Sequence, residues 1–458
     1  MTRLELVGVL PVCLLYMIRM LGLFMVIPVL PLMGTSIQDA TPFLVGLALG
    51  VYGLSQSALQ IPLGLLSDRY GRKVIIVGGL MVFVTGSLVA ALSDSIYGII
   101  AGRFLQGMGA IASTLMALVS DLTQLENRSK AMMMVGMSIG LSFSLALIIG
   151  PWLGTAFGLH AIFWVCALLG LLGMGVLLIF VPDTRQKALP DARLLSEKLW
   201  TLLADGRLGR FNVSIFLLHY LLMSSFMAFP LFLRSTGQIA DGDHHWVYLG
   251  VLMASLLPIG FLMWLVDKRH LTRWMLAAMT VCFIVAFLML EQGAGLNQVI
   301  GAFFVFFMAF NLLEVTLPSQ VSRQSPAGTR GTAMGIYSSW QFAGAFVGGT
   351  IGGLLLQTWD MTVLMTVNAV ICVLWMLLFI TMAVPRDLVG KTVFFRPEDQ
   401  RSAIDRIDAL LSVAGVEDVV LLSASGNRED EHRVAYLKVD NTRFNEHSLA
   451  ALEIEKIV

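Results

Sequence analysis

Twelve apolar stretches run through this chain, near 5–33, 42–66, 74–92, 97–118, 131–155, 158–181, 210–233, 246–266, 272–290, 296–317, 331–356 and 359–384. A bilayer core about 30 Å thick is crossed by about 20 residues of α-helix. In lipid every backbone polar group must find its partner inside the protein, which an α-helix does within one segment. The stretches are therefore predicted to be twelve membrane-spanning helices, separated at Gly, Pro and charged residues. The first begins at Leu4, is too long for a signal-peptide core and lacks a small-x-small cleavage site, so it reads as a retained span. Composition agrees: 13% of the 458 residues are charged and 57% are hydrophobic, where a soluble protein carries roughly twice that charge. The formal net charge is zero, which gives no reason to expect a nucleic-acid partner.

The connections test this reading independently. One side of the weave carries Arg3, then Arg69, Arg72 and Lys73, then Arg128 and Lys130, then Arg185, Lys187, Arg193, Lys198, Arg207 and Arg210. It continues with Lys268, Arg269 and Arg273, then Arg323 and Arg330, then Arg386. The other side shows Arg234 and little else. Basic loops stay on the cytoplasmic side. Both termini and the long central loop are thus expected in the cytoplasm, with the chain in a cell inner membrane, and an even number of spans is required.

The chain also repeats itself. Asp68-Arg69 with Arg72-Lys73 follows span two, and Asp267-Lys268-Arg269 with Arg273 follows span eight, 199 positions later. Ala131-Met132 opens span five after Arg128-Ser129-Lys130, and Ala333-Met334 opens span eleven after Arg330, 202 positions later. Two related six-helix halves enclose a site near the bilayer midplane and rock about it, so the duplication favours transport. The predicted organisation is an N-terminal six-helix bundle over 1–182, a cytoplasmic linker over 183–209, a C-terminal six-helix bundle over 210–384 and a soluble domain over 392–458. In the linker, Leu195, Leu199, Leu202 and Leu203 share a helical face opposite Glu197 and Lys198, which suits an interfacial amphipathic helix or an ordinary linker helix.

After Arg386 the sequence becomes water-compatible. Val393-Phe394-Phe395 reads as a strand, Ala403 to Leu411 as a helix, Val419 to Leu422 as a strand, Ser425-Gly426-Asn427 as a turn, Val434 to Val439 as a strand and Leu449 to Ile457 as a helix. That order suggests a small α+β ferredoxin-like cytosolic domain that stops short of a last strand. Metal-carrying domains of that shape place Cys-x-x-Cys after the first strand; here Arg396-Pro397-Glu398-Asp399 stands there, so no metal site is expected. Cys13, Cys166, Cys282 and Cys372 are scattered through apolar stretches and fit neither a disulfide framework nor a metal site. No nucleotide-binding Gly-x-x-x-x-Gly-Lys pattern, no Ser-His-Asp set and no His-Glu-x-x-His pattern points to an enzyme or to a cofactor.

Four motifs carry a specific resemblance. Gly64-Leu65-Leu66-Ser67-Asp68-Arg69-Tyr70-Gly71-Arg72-Lys73 resembles the signature of the major facilitator superfamily, in the turn between spans two and three where that family has it. Leu21-Gly22 with Pro28-Val29-Leu30-Pro31 resembles the first-span motif of its drug:proton antiporter branch. Arg103-Phe104-Leu105-Gln106-Gly107 resembles the fourth-span motif, and Gly150-Pro151 with Gly154 part of the fifth-span helix-packing motif. The resemblance covers residues 1 to about 384. It implies a monomeric carrier of a small molecule and protons, working by alternating access. It also implies that Gly64, Asp68, Arg69, Gly71, Arg72 and Lys73 form a conformational latch: Asp68 faces the N-terminus of span eleven, Arg72 pairs with Asp121 at the end of span four, and the cluster holds the outward-facing state. From charge alone the same residues are a solvated topology signal.

Ionisable residues inside spans are costly and so are candidates for function. Arg19 lies in span one, Arg103 in span four, His219 in span seven, and Glu314 beside Asn311 in span ten. The resemblance implies proton coupling for Arg103 with Gln106; a structural Arg bound to backbone carbonyls is the alternative. Glu314 is chemically the best proton carrier, or else a snorkelling acid near the rim. His219 either titrates or is merely hydrogen-bonded. Arg19 suits an anionic group or a carboxylate partner, and span one lacks the acid that many drug antiporters carry there. The expected function is proton-coupled efflux of small amphiphilic compounds. A facilitator or uptake carrier for a sugar or organic anion, and a membrane sensor with a ligand-binding cytosolic domain, are the alternatives.

Overall fold

The computed structural model describes residues 2–123, 125–182, 199–269, 272–292, 295–326, 329–382, 388–395, 403–422, 434–440, 443–444 and 454–457. Among these, twelve long helical segments follow one another, and they are numbered here in chain order. Segment 1 is Arg3–Phe24 with Leu30–Met33, segment 2 Pro42–Tyr70, segment 3 Arg72–Ala91 and segment 4 Ile96–Met108 with Ala112–Leu122. Segments 5 and 6 are Leu125–Phe157 and Leu159–Phe180. Segments 7 to 12 are Gly206–Ser235, His244–Arg269, Thr272–Glu291, Leu296–Gln324, Arg330–Thr358 and Met361–Ile380. Eleven are long and apolar enough to cross a membrane. Segment 11 has the length, 29 residues, but Ser338, Ser339, Gln341 and many glycines lower its hydropathy.

Two expected spans are interrupted. Segment 1, expected to run unbroken over 5–33, stops at Phe24, turns over 25–29 and resumes at Leu30. Pro28 and Pro31 lack the N–H a helix needs at those positions. Segment 4, expected over 97–118, breaks at 109–111. Gly109 there is pressed against the carbonyl of Gly79 with no space for a side chain, and its own carbonyl accepts from Ile111 N at 2.8 Å in place of a helical partner. Segment 2 starts where the Thr41 hydroxyl accepts from Leu44 N, and ends at Gly71, whose φ of 97° disfavours any other residue.

The described residues fall into two compact units. The first comprises Met1–Asp191, Asn212–Val315 and Gly335–Thr381. Within it the two halves of the chain meet at the end remote from the Tyr70–Arg72 turn. Gly46, Gly50 and Gly53 of segment 2 lie directly on the backbone of segment 11 at Gly349, Gly353, Phe346 and Phe342. A β-carbon on Gly50 would stand 2.5 Å from the Phe346 carbonyl oxygen. Gly344, Gly348 and Gly352 press in the same way on segment 7 at Phe216, Tyr220 and Ser224. Segment 11 is thus held by helices, not lipid, along much of its length. Its small residues allow close backbone approach, and that accounts for its low hydropathy.

The second unit comprises Ala192–Phe211, Thr316–Met334 and Met382–Val458. Its sheet has strands β1 Leu388–Phe395, β2 Val416–Leu422, β3 Val434–Asp440 and β4 Ile454–Ile457, in the order β2-β3-β1-β4 with every pair antiparallel. Helix Ala403–Leu411 joins β1 to β2 and closes a core of Val393, Phe395, Leu410, Ala435, Leu437 and Val439. The expected helix over Leu449–Ile457 is a strand at 454–457. β1 has a free edge there, and Ile457 and Lys456 pair with Val393 and Phe394; unmet backbone groups on that edge outweigh the local helical spacing. Residues 449–453, the 425–427 turn, Arg396–Asp399, and Leu195, Glu197 and Lys198 of the linker lie outside the described residues; 199–204 are helical.

Candidate functional site

Segment 10 brings an acid into the interior. Glu314 Oε1 accepts from Gln341 Nε2 of segment 11 at 3.2 Å, and the same nitrogen donates to His219 Nε2 of segment 7 at 2.8 Å. His219 therefore carries its proton on Nδ1, which donates to the Ile215 carbonyl at 3.3 Å. One amide thus bridges an acid and an imidazole from two other segments. Glu314 Oε2 has no hydrogen-bond partner and lies 3.9 Å from His219 Nε2. One turn away, Asn311 donates to Ser255 of segment 8 at 3.0 Å.

An aromatic layer stands between this cluster and the closed end. Phe143 of segment 5 touches Phe24 of the first half, with ring centroids 5.1 Å apart, and Phe226, Phe307 and Phe310 of the second half at 6.1–6.5 Å. Phe310 packs edge-on to His219. Phe310 and Glu314 are one turn apart, about 6 Å along the helix. Toward the basic end the same face of segment 5 changes character. Leu147 and Phe143 are buried, whereas Gly140, Gly136 and Met133 on that face are exposed, Met133 by 65%. Gly136 and Gly140 have nothing within 4 Å of where a side chain would be. The halves therefore touch at one end and part toward the other, and the Glu314 side chain, one-third exposed, sits on the open side of the aromatic layer.

The first half holds two buried guanidiniums. Arg19, 1% exposed, donates to Gln56 Oε1 at 3.3 and 3.4 Å and to the Gly109 carbonyl at 2.5 Å, which at the break in segment 4 also accepts from Ile111 N. Arg103 is fully enclosed; it donates to the Ala48 and Leu49 carbonyls and to Gln106 Oε1, and Gln106 donates to Ser87 at 2.8 Å. Both guanidiniums lie against the ring of Tyr52, at 5.8 and 4.9 Å from its centroid. No described carboxylate pairs with either.

At the basic end, Arg72 joins Asp68 at 2.5 Å to Asp121 at 3.1 Å and also donates to Ser67 Oγ. Arg69 lies over the Tyr70 ring. Gly64 passes close to Ser113 of segment 4, where a β-carbon would stand a tight 3.1 Å from Ser113 Oγ. In segment 5, Gly150 is pressed on the Met25 carbonyl and Gly154 on Val29, so the Gly150-Pro151-Gly154 stretch seats the break in segment 1. At the opposite end Arg234 grips Asp241 through Nε and Nη2 and donates to the Leu32 carbonyl of the first half at 3.4 Å.

The structure thus joins His219 with Glu314 and Arg72 with Asp121, and among the described residues it pairs neither Arg19 nor Arg103 with an acid. Sequence reasoning missed Gln341, Tyr52, Gln56 and the glycine seam. Polar residues at regular spacing in the least apolar long helix were the signal available for Gln341.

A multi-pass bundle with polar groups buried between two halves that part at one end is the architecture of a membrane transporter, not of an enzyme. The Major Facilitator Superfamily pattern matches residues 12–349 and 213–416, and the chain belongs to that family. It is 39% identical over 435 residues to the inner membrane transport protein YajR of Escherichia coli K12, across 93% of this chain and 92% of that protein. It is 25% identical to multidrug resistance protein 2 of Bacillus subtilis, across 74% and 86% of the two chains. In fold it is similar to the human organic anion transporter MFSD10, with a TM-score of 0.63 at 18% identity over 82% of this chain and 100% of that one. It is also similar to a bacterial homolog of the human lysosomal transporter Spinster, with a TM-score of 0.65 at 13% identity over 83% and 97%.

Proposed function

We propose that this protein is a proton-coupled exporter of small amphiphilic compounds, working as a monomer with twelve spans. The observation that carries the reading is Glu314, an acid in the interior of the second half with one oxygen unpartnered and the other tied through Gln341 to His219. Protonating Glu314 turns an acceptor-only carboxylate into a group that also donates. A proton on the unpartnered Oε2, 3.9 Å from His219 Nε2, then competes with Gln341 for that nitrogen, and this competition is the means by which a proton biases the two halves. The basic end is taken as cytoplasmic by its Lys and Arg excess, with both termini on that side of the inner membrane; the conformation described is then open to the cytoplasm. In the opposite conformation the Asp68–Arg72–Asp121 cluster is the latch of the closed cytoplasmic end. The β2-β3-β1-β4 order with a helix after β1 supports a ferredoxin-like cytosolic domain. The 25% identity to a multidrug resistance protein supports efflux as the direction.

The test is flux in proteoliposomes. An imposed pH gradient is expected to drive counter-movement of the solute in wild type and not in Glu314→Gln. Solute flux indifferent to the gradient would sink proton antiport. A second reading, a carrier for organic anions, is favoured by Arg19 and Arg103, buried without a carboxylate.

A further inference from the structure

The surroundings of Arg19 do not balance. Arg19 Nε and Gln56 Nε2 are buried donors without a hydrogen-bond partner, and the buried Tyr52 Oη faces Arg19 with no described acceptor for its own proton. The three residues are 1%, 1% and 0% exposed. They belong to one place: Tyr52 and Gln56 are one turn apart on segment 2, Gln56 Oε1 is bound by Arg19, and the Arg19 guanidinium lies 5.8 Å from the Tyr52 ring centroid. Every orphan is a donor, and the second guanidinium, Arg103, lies against the same ring. Buried donors are ordinarily satisfied, and an unsatisfied set points to an absent ion, water or ligand. One water satisfies part of this donor set at most and brings no charge to oppose two buried cations, an arrangement that is strongly unfavourable.

We propose that Arg19, Tyr52 and Gln56 form a recognition point for a monovalent anionic group, which supplies the acceptor the protein lacks. The group is either a small free anion or the carboxylate of a solute. Its site lies in the first half, apart from the Glu314 cluster in the second. The proposal does not rest on the efflux reading, because binding is measured without transport.

Full-length protein is purified in chloride-free buffer with sulfate as the bulky divalent control, and chloride and benzoate are titrated separately at constant ionic strength while the melting temperature is followed. Saturable stabilisation by chloride identifies a free anion, and stabilisation by benzoate alone identifies a carboxylate. Arg19→Gln risks the fold, so two gentler variants carry the test. Gln56→Glu places a carboxylate beside Arg19 and is expected to remove the anion dependence while the protein stays folded. Tyr52→Phe is expected to weaken apparent affinity about tenfold, as for one hydrogen bond to a charged partner. The proposal fails if neither anion stabilises the wild type, or if Gln56→Glu responds to them as the wild type does.

Discussion

Gly46 and Gly353 meet backbone to backbone: a β-carbon on Gly46 would stand 2.9 Å from the Gly353 α-carbon. With the Gly349 carbonyl pressed on the same spot, the seam between segments 2 and 11 tolerates no side chain. Gly46→Val is therefore expected to force this end open. Overpacking of this kind costs about 1–3 kcal/mol, enough to shift the balance of conformations roughly five- to a hundredfold. The check is the rate at which an impermeant thiol reagent modifies a cysteine placed at Thr41→Cys. An unchanged rate in the Gly46→Val background would mean the seam does not close the protein.

Arg234 and Asp241 act at the same end but are expected to matter less. Their side chains are 45% and 37% exposed, and pairs of that kind contribute at most about 1 kcal/mol. Arg234 also reaches the first half by a hydrogen bond to the Leu32 carbonyl. Arg234→Ala should raise labelling at Thr41→Cys by roughly fivefold or less, Asp241→Asn by less again. The difference should shrink in high salt, which screens exposed charges. A salt-independent effect larger than that of Gly46→Val would contradict the assignment.

Glu314 and Gln341 separate chemistry from structure. Glu314→Gln keeps a group able to bond Gln341 but removes the titratable proton. It should lose solute accumulation driven by a pH gradient and keep gradient-free exchange of labelled for unlabelled solute. Gln341→Leu is a different lesion: it leaves both Glu314 Oε1 and His219 Nε2 without their donor. Stranding such groups costs about 1–3 kcal/mol, so this variant should melt earlier. Equal loss of both transport modes in Glu314→Gln would place Glu314 in solute binding instead.

These sites show which parts of the molecule a sequence can disclose. Spans were legible because lipid demands about 20 apolar residues wherever a helix meets it, and the Asp68–Arg72 turn because its glycines fix a spacing. The Arg72–Asp121 pair followed from the resemblance to the family signature. The partners of Gln341 were not legible: they stand 122 and 27 positions away, on segments whose rotation only packing decides. The breaks at 25–29 and 109–111 hid inside continuous apolar runs, since hydropathy records what faces lipid and not whether the ladder is intact. Strand β4 was misread because its partner edge on β1 lies about 60 residues upstream, beyond any local pattern.

Lys438 of β3 donates its ammonium to the carbonyl of Ser325, just past the end of segment 10. Carbonyls in the last turn of a helix have no partner within it and carry the negative end of its dipole, so a buried ammonium there is favoured. Lys438 is only 6% exposed, and the contact fastens the sheet to the helix that carries Glu314. Lys438→Met keeps the length and apolar stem but removes the charge, at a cost of about 1–2 kcal/mol. Amide exchange over residues 321–326 should then accelerate roughly tenfold, while strands β1–β3 stay protected by their own core of Val393, Leu410 and Leu437. Leu437→Ala should reverse the pattern, unfolding the sheet at a cost of about 2–5 kcal/mol. If Lys438→Met leaves exchange at 321–326 unchanged, the contact adds nothing to the end of segment 10, and deletion of the domain should leave transport untouched as well.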